Sequence, residues 1–226
     1  MKPTDKINLS DIEALTRRLS AQKITPPRFS LEVPWKEAAN AIYAAMKAEV
    51  MFRRRTIVLD DDTRSHIEQA ARWITDPHGK SGLLLLGPCG NGKTTLMRAI
   101  ARLIAFLTEE TLGYSKRKTV RLTSAKEIAR VCAADRSSRG DYFGLFSEPM
   151  LAIDDLGTEP SEVISYGMTH TPLIDLLCER YDRQLLTMVT TNLIGKSIGD
   201  LYGKRVHDRL SEVMEIIQFN NPSYRT

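Results

Sequence analysis

At 226 residues, with 42% hydrophobic and 27% charged residues, the chain suits one folded α/β domain plus a modest extension. No apolar run approaches the roughly 20 residues that a membrane-spanning helix needs, and the polar start lacks the apolar core of a signal peptide, so a cytoplasmic protein without a membrane partner is expected. Three cysteines without a C-x-x-C pair and four scattered histidines speak against a disulfide framework or a zinc site, and a net charge of +4 permits a polyanionic partner without demanding one.

Residues 8–15 can cap and start a short helix, which Pro26 and Pro27 break. The spacing of Ala38, Ile42, Ala45 and Met46 predicts a helix over 35–51, followed by a basic turn of Arg53, Arg54 and Arg55. Asp60 to Thr63 suit the N-cap of a helix with Ile67, Ala70, Ala71 and Ile74 on one side, ended by residues 76–79. From Gly82 the pattern alternates. Strands are expected at 83–86, 119–123, 150–153, 185–190 and 215–219, with helices over 93–107, 125–134, 171–184 and 198–211. Five strands alternating with helices predict an open, mainly parallel sheet with helices on both sides. The division expected is a mainly helical extension over 1–75, a candidate partner-binding region, and a nucleotide-binding domain over 76–226.

Four motifs carry chemistry. Gly87, Pro88, Cys89, Gly90, Asn91, Gly92, Lys93 and Thr94 spell G-x-x-x-x-G-K-T between an apolar strand and an apolar-periodic helix. Glycines let backbone N–H groups approach phosphate oxygens, and the helix N-terminus adds positive potential. Lys93 then reaches the β- and γ-phosphates and the Thr94 hydroxyl ligates Mg2+, with Thr95 counted among the nucleotide-binding residues. Cys89 reads as a small neutral loop residue. In the second motif, four apolar residues precede Asp154 and Asp155, which puts adjacent acids at a buried strand end beside the loop. Asp154 suits the metal side, and Asp155 can orient or deprotonate the attacking water.

The third motif is the strand ending in Thr190, Thr191 and Asn192. If it lies between the first and third strands, Asn192 or Thr191 faces the γ-phosphate; otherwise it is an ordinary turn. The fourth places Arg205 and Arg209 at i and i+4 on one helical face, suited either to stabilising charge on a transferring phosphoryl group across a subunit boundary or to pairing with nearby acids.

In this order and spacing the four motifs resemble the AAA+ ATPases, and more narrowly the DnaC/IstB group of helicase loaders and transposase helpers. The motif around Tyr202, Gly203, Arg205, Val206, Asp208, Arg209 and Leu210 and the ending Ser223, Tyr224, Arg225 narrow the resemblance, which covers about residues 80–226. It implies an ATPase using ATP and Mg2+, with Asn192 as sensor, Arg205 and Arg209 as candidate arginine fingers in a homo-oligomer, and Arg225 as a nucleotide-sensing or inter-subunit arginine. The client is either a replicative helicase or a transposase. Asp155 stands where most AAA+ proteins have Glu, which implies slow hydrolysis. Seven residues follow Phe219, so the C-terminal helical lid domain usual in AAA+ proteins is not expected. The insert over 124–147, with Lys126, Arg130, Arg136, Arg139, Tyr142, Phe143 and Phe146, implies contact with single-stranded DNA; a solvated helix with its aromatics in the core is the equal alternative. A small-molecule P-loop kinase is the runner-up, against which stands the want of an arginine-rich lid segment after the third strand. A nucleotide-binding adaptor with negligible turnover is the further option.

Overall fold

A computed structural model of the protein describes residues 10–22, 27–110, 118–134, 136–165 and 167–225. The side chains of Arg136 and Arg139 lie outside what is described. No helix among the described residues is long and apolar enough to cross a membrane.

A short helix α1 (Ile12–Gln22) precedes α2 (Trp35–Phe52) and α3 (Asp61–Thr75). The Asp60 carboxylate caps α3, accepting the Thr63 amide at 2.8 Å as its sequence predicts. Then come β1 (Gly82–Leu86), α4 (Lys93–Glu110), β2 (Arg121–Ser124), α5 (Ala125–Ala133), α6 (Arg136–Ser147) and β3 (Met150–Leu156). Ser124 caps α5 through the Glu127 amide. A small antiparallel hairpin of β4 (Val163–Ser165) and β5 (Met168–His170) leads into α7 (Pro172–Asp182). The chain closes with β6 (Leu186–Thr191), α8 (Gly195–Tyr202), α9 (Lys204–Val213) and β7 (Met214–Gln218).

The main sheet is five-stranded and wholly parallel, in the order β2-β3-β6-β1-β7. β6 therefore lies between β1 and β3, the condition that Asn192 needs in order to face the phosphate loop. The strand ends are level: Leu86 and Leu156 both pair with Thr191. Every residue of β1 and β6 is buried, as expected of central parallel strands, and alternate residues serve opposite layers. Leu83 and Leu85 pack with α2, α3 and α4, whereas Leu84 and Leu86 pack with α5 to α9. Arg180 crosses the second layer buried, donating to the carbonyls of Leu145, Glu148 and Leu186 and to the Thr187 hydroxyl at 2.7–2.9 Å. Burial pulls its pKa down to about 10.

The helices before residue 76 pack on the sheet: Leu31, Ala38, Ile42, Met46, Ile67, Ala70 and Ile74 belong to the same apolar cluster as Leu83, Leu85, Leu96 and Ile100. Two expectations change. The helix expected over 198–211 is two helices, since Gly203 at φ +85 breaks it. The β4–β5 hairpin was expected as loop; three-residue strands are too short to show a period. Within the insert, Tyr142 and Leu145 are in the core while Phe143 is exposed, so its aromatics divide between the two alternatives. Arg130 is paired with Glu127.

Candidate active site

The site lies at the carboxyl ends of β1, β3 and β6. After β1 the chain turns at Gly87 (φ +142), where a β-carbon would stand 2.2 Å from the Phe219 carbonyl oxygen. Gly90 (φ +85) and Gly92 (φ +103) complete the loop before α4 starts at Lys93. Lys93 is 5% exposed, and its ammonium donates to the carbonyls of Gly87 and Pro88 (both 2.6 Å) and to the side-chain oxygens of Asn91 and Asn192 (both 3.1 Å). Burial lowers its pKa, opposed by Cys89, Asp155 and Asp154. The loop lysine and the end of β6 are thus in direct contact.

The Asp154 carboxylate faces Thr94. Its Oδ1 accepts from the hydroxyls of Thr94 (2.8 Å) and Thr190 (2.7 Å), and Arg98 lies 3.6 Å from Oδ2. Thr94 Oγ1 and Asp154 Oδ1 are hard oxygen donors at a cavity wall; together with phosphate oxygens and water they fit the demands of Mg2+, which uses few protein ligands. Asp155 breaks from the ladder. The β3–β6 register shifts between Ile153 and Leu156, and Asp155 takes φ +57, its amide donating to Thr190 Oγ1 at 2.9 Å. Its side chain is exposed to the cavity mouth.

These groups line a cavity of about 910 Å³ that also touches Cys89, Gly90, Gly92, Thr95, Arg53, Arg55, Ile57, Val58, His66, Phe219 and Arg225. The volume falls in the range of nucleotide-sized ligand sites. Its lining is mixed: beside the polar and charged groups stand Met46, Val50, Ile57, Val58 and the His66–Phe219 ring stack, whose centroids are 3.8 Å apart. Burial also lowers the His66 pKa, although its Nε2 lies 3.1 Å from the Gln218 carbonyl oxygen.

The C-terminal tail wraps this loop. The Asn91 side-chain amide donates to the Phe219 carbonyl and that of Asn221 to the Asn91 carbonyl, the Tyr224 amide donates to the Gly90 carbonyl at 2.9 Å, and the Tyr224 hydroxyl bonds Asp60 and Thr63 at the start of α3. The tail so carries Arg225 to the cavity. Arg205 and Arg209 do not reach the cavity. Arg209 is held on α7, 3.4 Å from Asp182 and over the Tyr181 ring at 4.7 Å. Arg205 is exposed, with no hydrogen bond or ion pair among the described residues.

Sequence reasoning missed the cations and the apolar side chains that line the cavity. Arg53 donates to Thr95 Oγ1 at 3.4 Å, so its basic cluster is partly a wall of the site. Arg98 had a readable signal, its place one helical turn after Thr94. Ile57, Val58 and His66 had none, because α2 and α3 bring them there by packing.

No family model matches the chain, and no curated protein does. Solved structures do. The DnaC helicase loader superposes with a TM-score of 0.55 at 18% identity, over 73% of this chain and 93% of that one. DnaI gives 0.56 at 20% identity, over 84% and 96%. The chain has the AAA+ P-loop fold. AMPPCP-bound DnaA from Aquifex aeolicus carries that fold too, with a TM-score of 0.50 at 14% identity over 72% of this chain and 48% of that one. Within the AAA+ fold, the strand order seen here sets the phosphate loop, the acid pair and Asn192 on three neighbouring strand ends.

Proposed function

We propose that this protein is an ATPase of the DnaC type, which binds ATP with Mg2+ in the 910 Å³ cavity and helps load a replicative helicase onto single-stranded DNA in the cytoplasm. The observation that carries the reading is the join of Lys93 to Asn192 and of Thr94 to Asp154 at three adjacent strand ends. A lone phosphate-binding loop has no use for that second set of groups.

In this reading the loop amides and Lys93 hold the β- and γ-phosphates, so Lys93 exchanges its carbonyl partners for phosphate oxygens. Thr94 and Asp154 hold Mg2+, which supplies neutralisation of the developing phosphate charge. Asp155 accepts the proton of the attacking water, and Asn192 orients that water from the opposite side. The purine lies against Ile57, Val58 and His66, with Arg53 and Arg225 on the flanks. Because Arg205 is exposed and does not line its own cavity, it serves the γ-phosphate of a neighbouring copy, which makes the working form a homo-oligomer. Arg209, held on α7, positions α9. Helix α1 exposes Ile12 and Leu19 and is the segment suited to a client.

The test is steady-state ATP turnover by the full chain with and without single-stranded DNA and a replicative helicase. Turnover raised by these two is the expected result. Turnover that answers instead to a small phosphate acceptor, with phosphoryl transfer onto it, makes the protein a kinase.

A further inference from the structure

Outside the cavity, several contacts converge on the Glu159 carboxylate. From Asp155 the chain makes a tight turn, in which the Asp155 carbonyl accepts both the amide (3.3 Å) and the hydroxyl (2.8 Å) of Thr158. Gly157 follows at φ +96, so close to Leu193 that a β-carbon would stand 2.7 Å from its Cδ1. The Gly157 amide donates to Glu159 Oε2 at 2.9 Å. The other oxygen, Oε1, accepts from the hydroxyl of Tyr202, the last residue of α8 and 5% exposed. One residue later Gly203 (φ +85) swings the chain into α9, with nothing within 4 Å of where its β-carbon would be. Positive φ, not crowding, is what calls for glycine there. Arg205 is two residues beyond this joint.

A buried tyrosine hydroxyl needs a partner, and any nearby carbonyl would satisfy it. Here the partner sits on the turn that holds Asp155. Burial first, and then the Glu159 carboxylate, raise the Tyr202 pKa, so the hydroxyl remains a donor. The same turn packs on Leu193, next to Asn192. Both groups proposed to hold the water are thereby within two or three contacts of the joint at Gly203.

We propose that the Tyr202–Glu159 hydrogen bond couples the nucleotide cavity to the arginine helix α9: occupancy sets the position of Arg205, and engagement of Arg205 sets that of Asp155. This rests on the reading of the cavity as an ATP site. Tyr202 and Glu159 are positioning residues and touch no reacting atom. Linkage makes the coupling reciprocal for binding.

Amide hydrogen exchange on the full chain, diluted until it is monomeric, reads the coupling without requiring turnover. With AMPPCP and Mg2+, exchange should slow over residues 87–95 and also over 204–213. In Tyr202→Phe, which keeps the buried ring, and in Glu159→Ala, the slowing at 87–95 should persist. The slowing at 204–213, expected at about tenfold for a coupling of ordinary size, should disappear. Wild-type protein that responds at 87–95 but not at 204–213 overturns the inference, as do variants that keep both responses. Wild-type protein that responds at neither segment overturns the ATP reading itself and this inference with it.

Discussion

Asp155 holds a left-handed backbone that costs a residue with a β-carbon roughly 1–2 kcal/mol, and aspartate and asparagine tolerate it best. The backbone at this position thereby favours a short acid over a longer one. Asp155→Asn keeps the turn and removes the proposed base, so its thermal midpoint and ATP affinity should match wild type while kcat falls at least about a hundredfold. Asp155→Glu should destabilise by about 1 kcal/mol and should not raise kcat; paired melting and single-turnover measurements check both. His66 supplies a pH test. Its folded-state pKa is held below the ordinary 6.5 by burial, so the unfolded chain takes up a proton that the folded chain resists. Its neutral form favours folding above pH 6.5, and that stability is lost as pH falls through 6.5 towards the folded pKa, by at most about 1.4 kcal/mol per pH unit. Denaturant midpoints at pH 7.5 and 5.5 should differ less in His66→Gln than in wild type.

At the scale of elements, α9 separates two arginines that sequence spacing treats alike. Arg205 is exposed, so Arg205→Ala should change stability by less than about 0.5 kcal/mol yet reduce turnover under assembling conditions. Arg209 lies on Tyr181 and beside Asp182, so Arg209→Ala should cost about 1 kcal/mol of stability, read by chemical denaturation. The strand-loop-helix around Lys93, the acid pair and the end of β6 were legible because each is local: apolar run, special residues, then periodicity. The apolar wall of the cavity, Arg53 and the tail's grip on Gly90 were not, because they join residues up to 164 positions apart, as Tyr224 joins Asp60. The break at Gly203 and the β4–β5 hairpin were missed for a different reason. A single positive φ and three-residue strands leave almost no periodic trace.

Across the whole molecule, one sheet supports two apolar layers, and α2 and α3 supply much of the layer behind the phosphate loop. A chain cut to residues 76–226 would expose Leu83, Leu85, Leu96 and Ile100. At about 1.5–3 kcal/mol for each large side chain uncovered, against a total stability near 5–15 kcal/mol, that fragment should not fold cooperatively. Circular dichroism melts of the fragment and of the full chain check this, and a cooperative transition in the fragment would mark a domain boundary there after all. The same architecture lets the tail, α3 and the loop meet over one cavity, so nucleotide binding should depend on the loop lysine more than on any rim cation. The most direct measurement is calorimetric titration of ATP with Mg2+ into wild type and Lys93→Ala. Loss of two charge-assisted hydrogen bonds at about 1.5–3 kcal/mol each predicts that the variant binds at least about a hundredfold more weakly. Equal affinity in the two proteins would contradict the account.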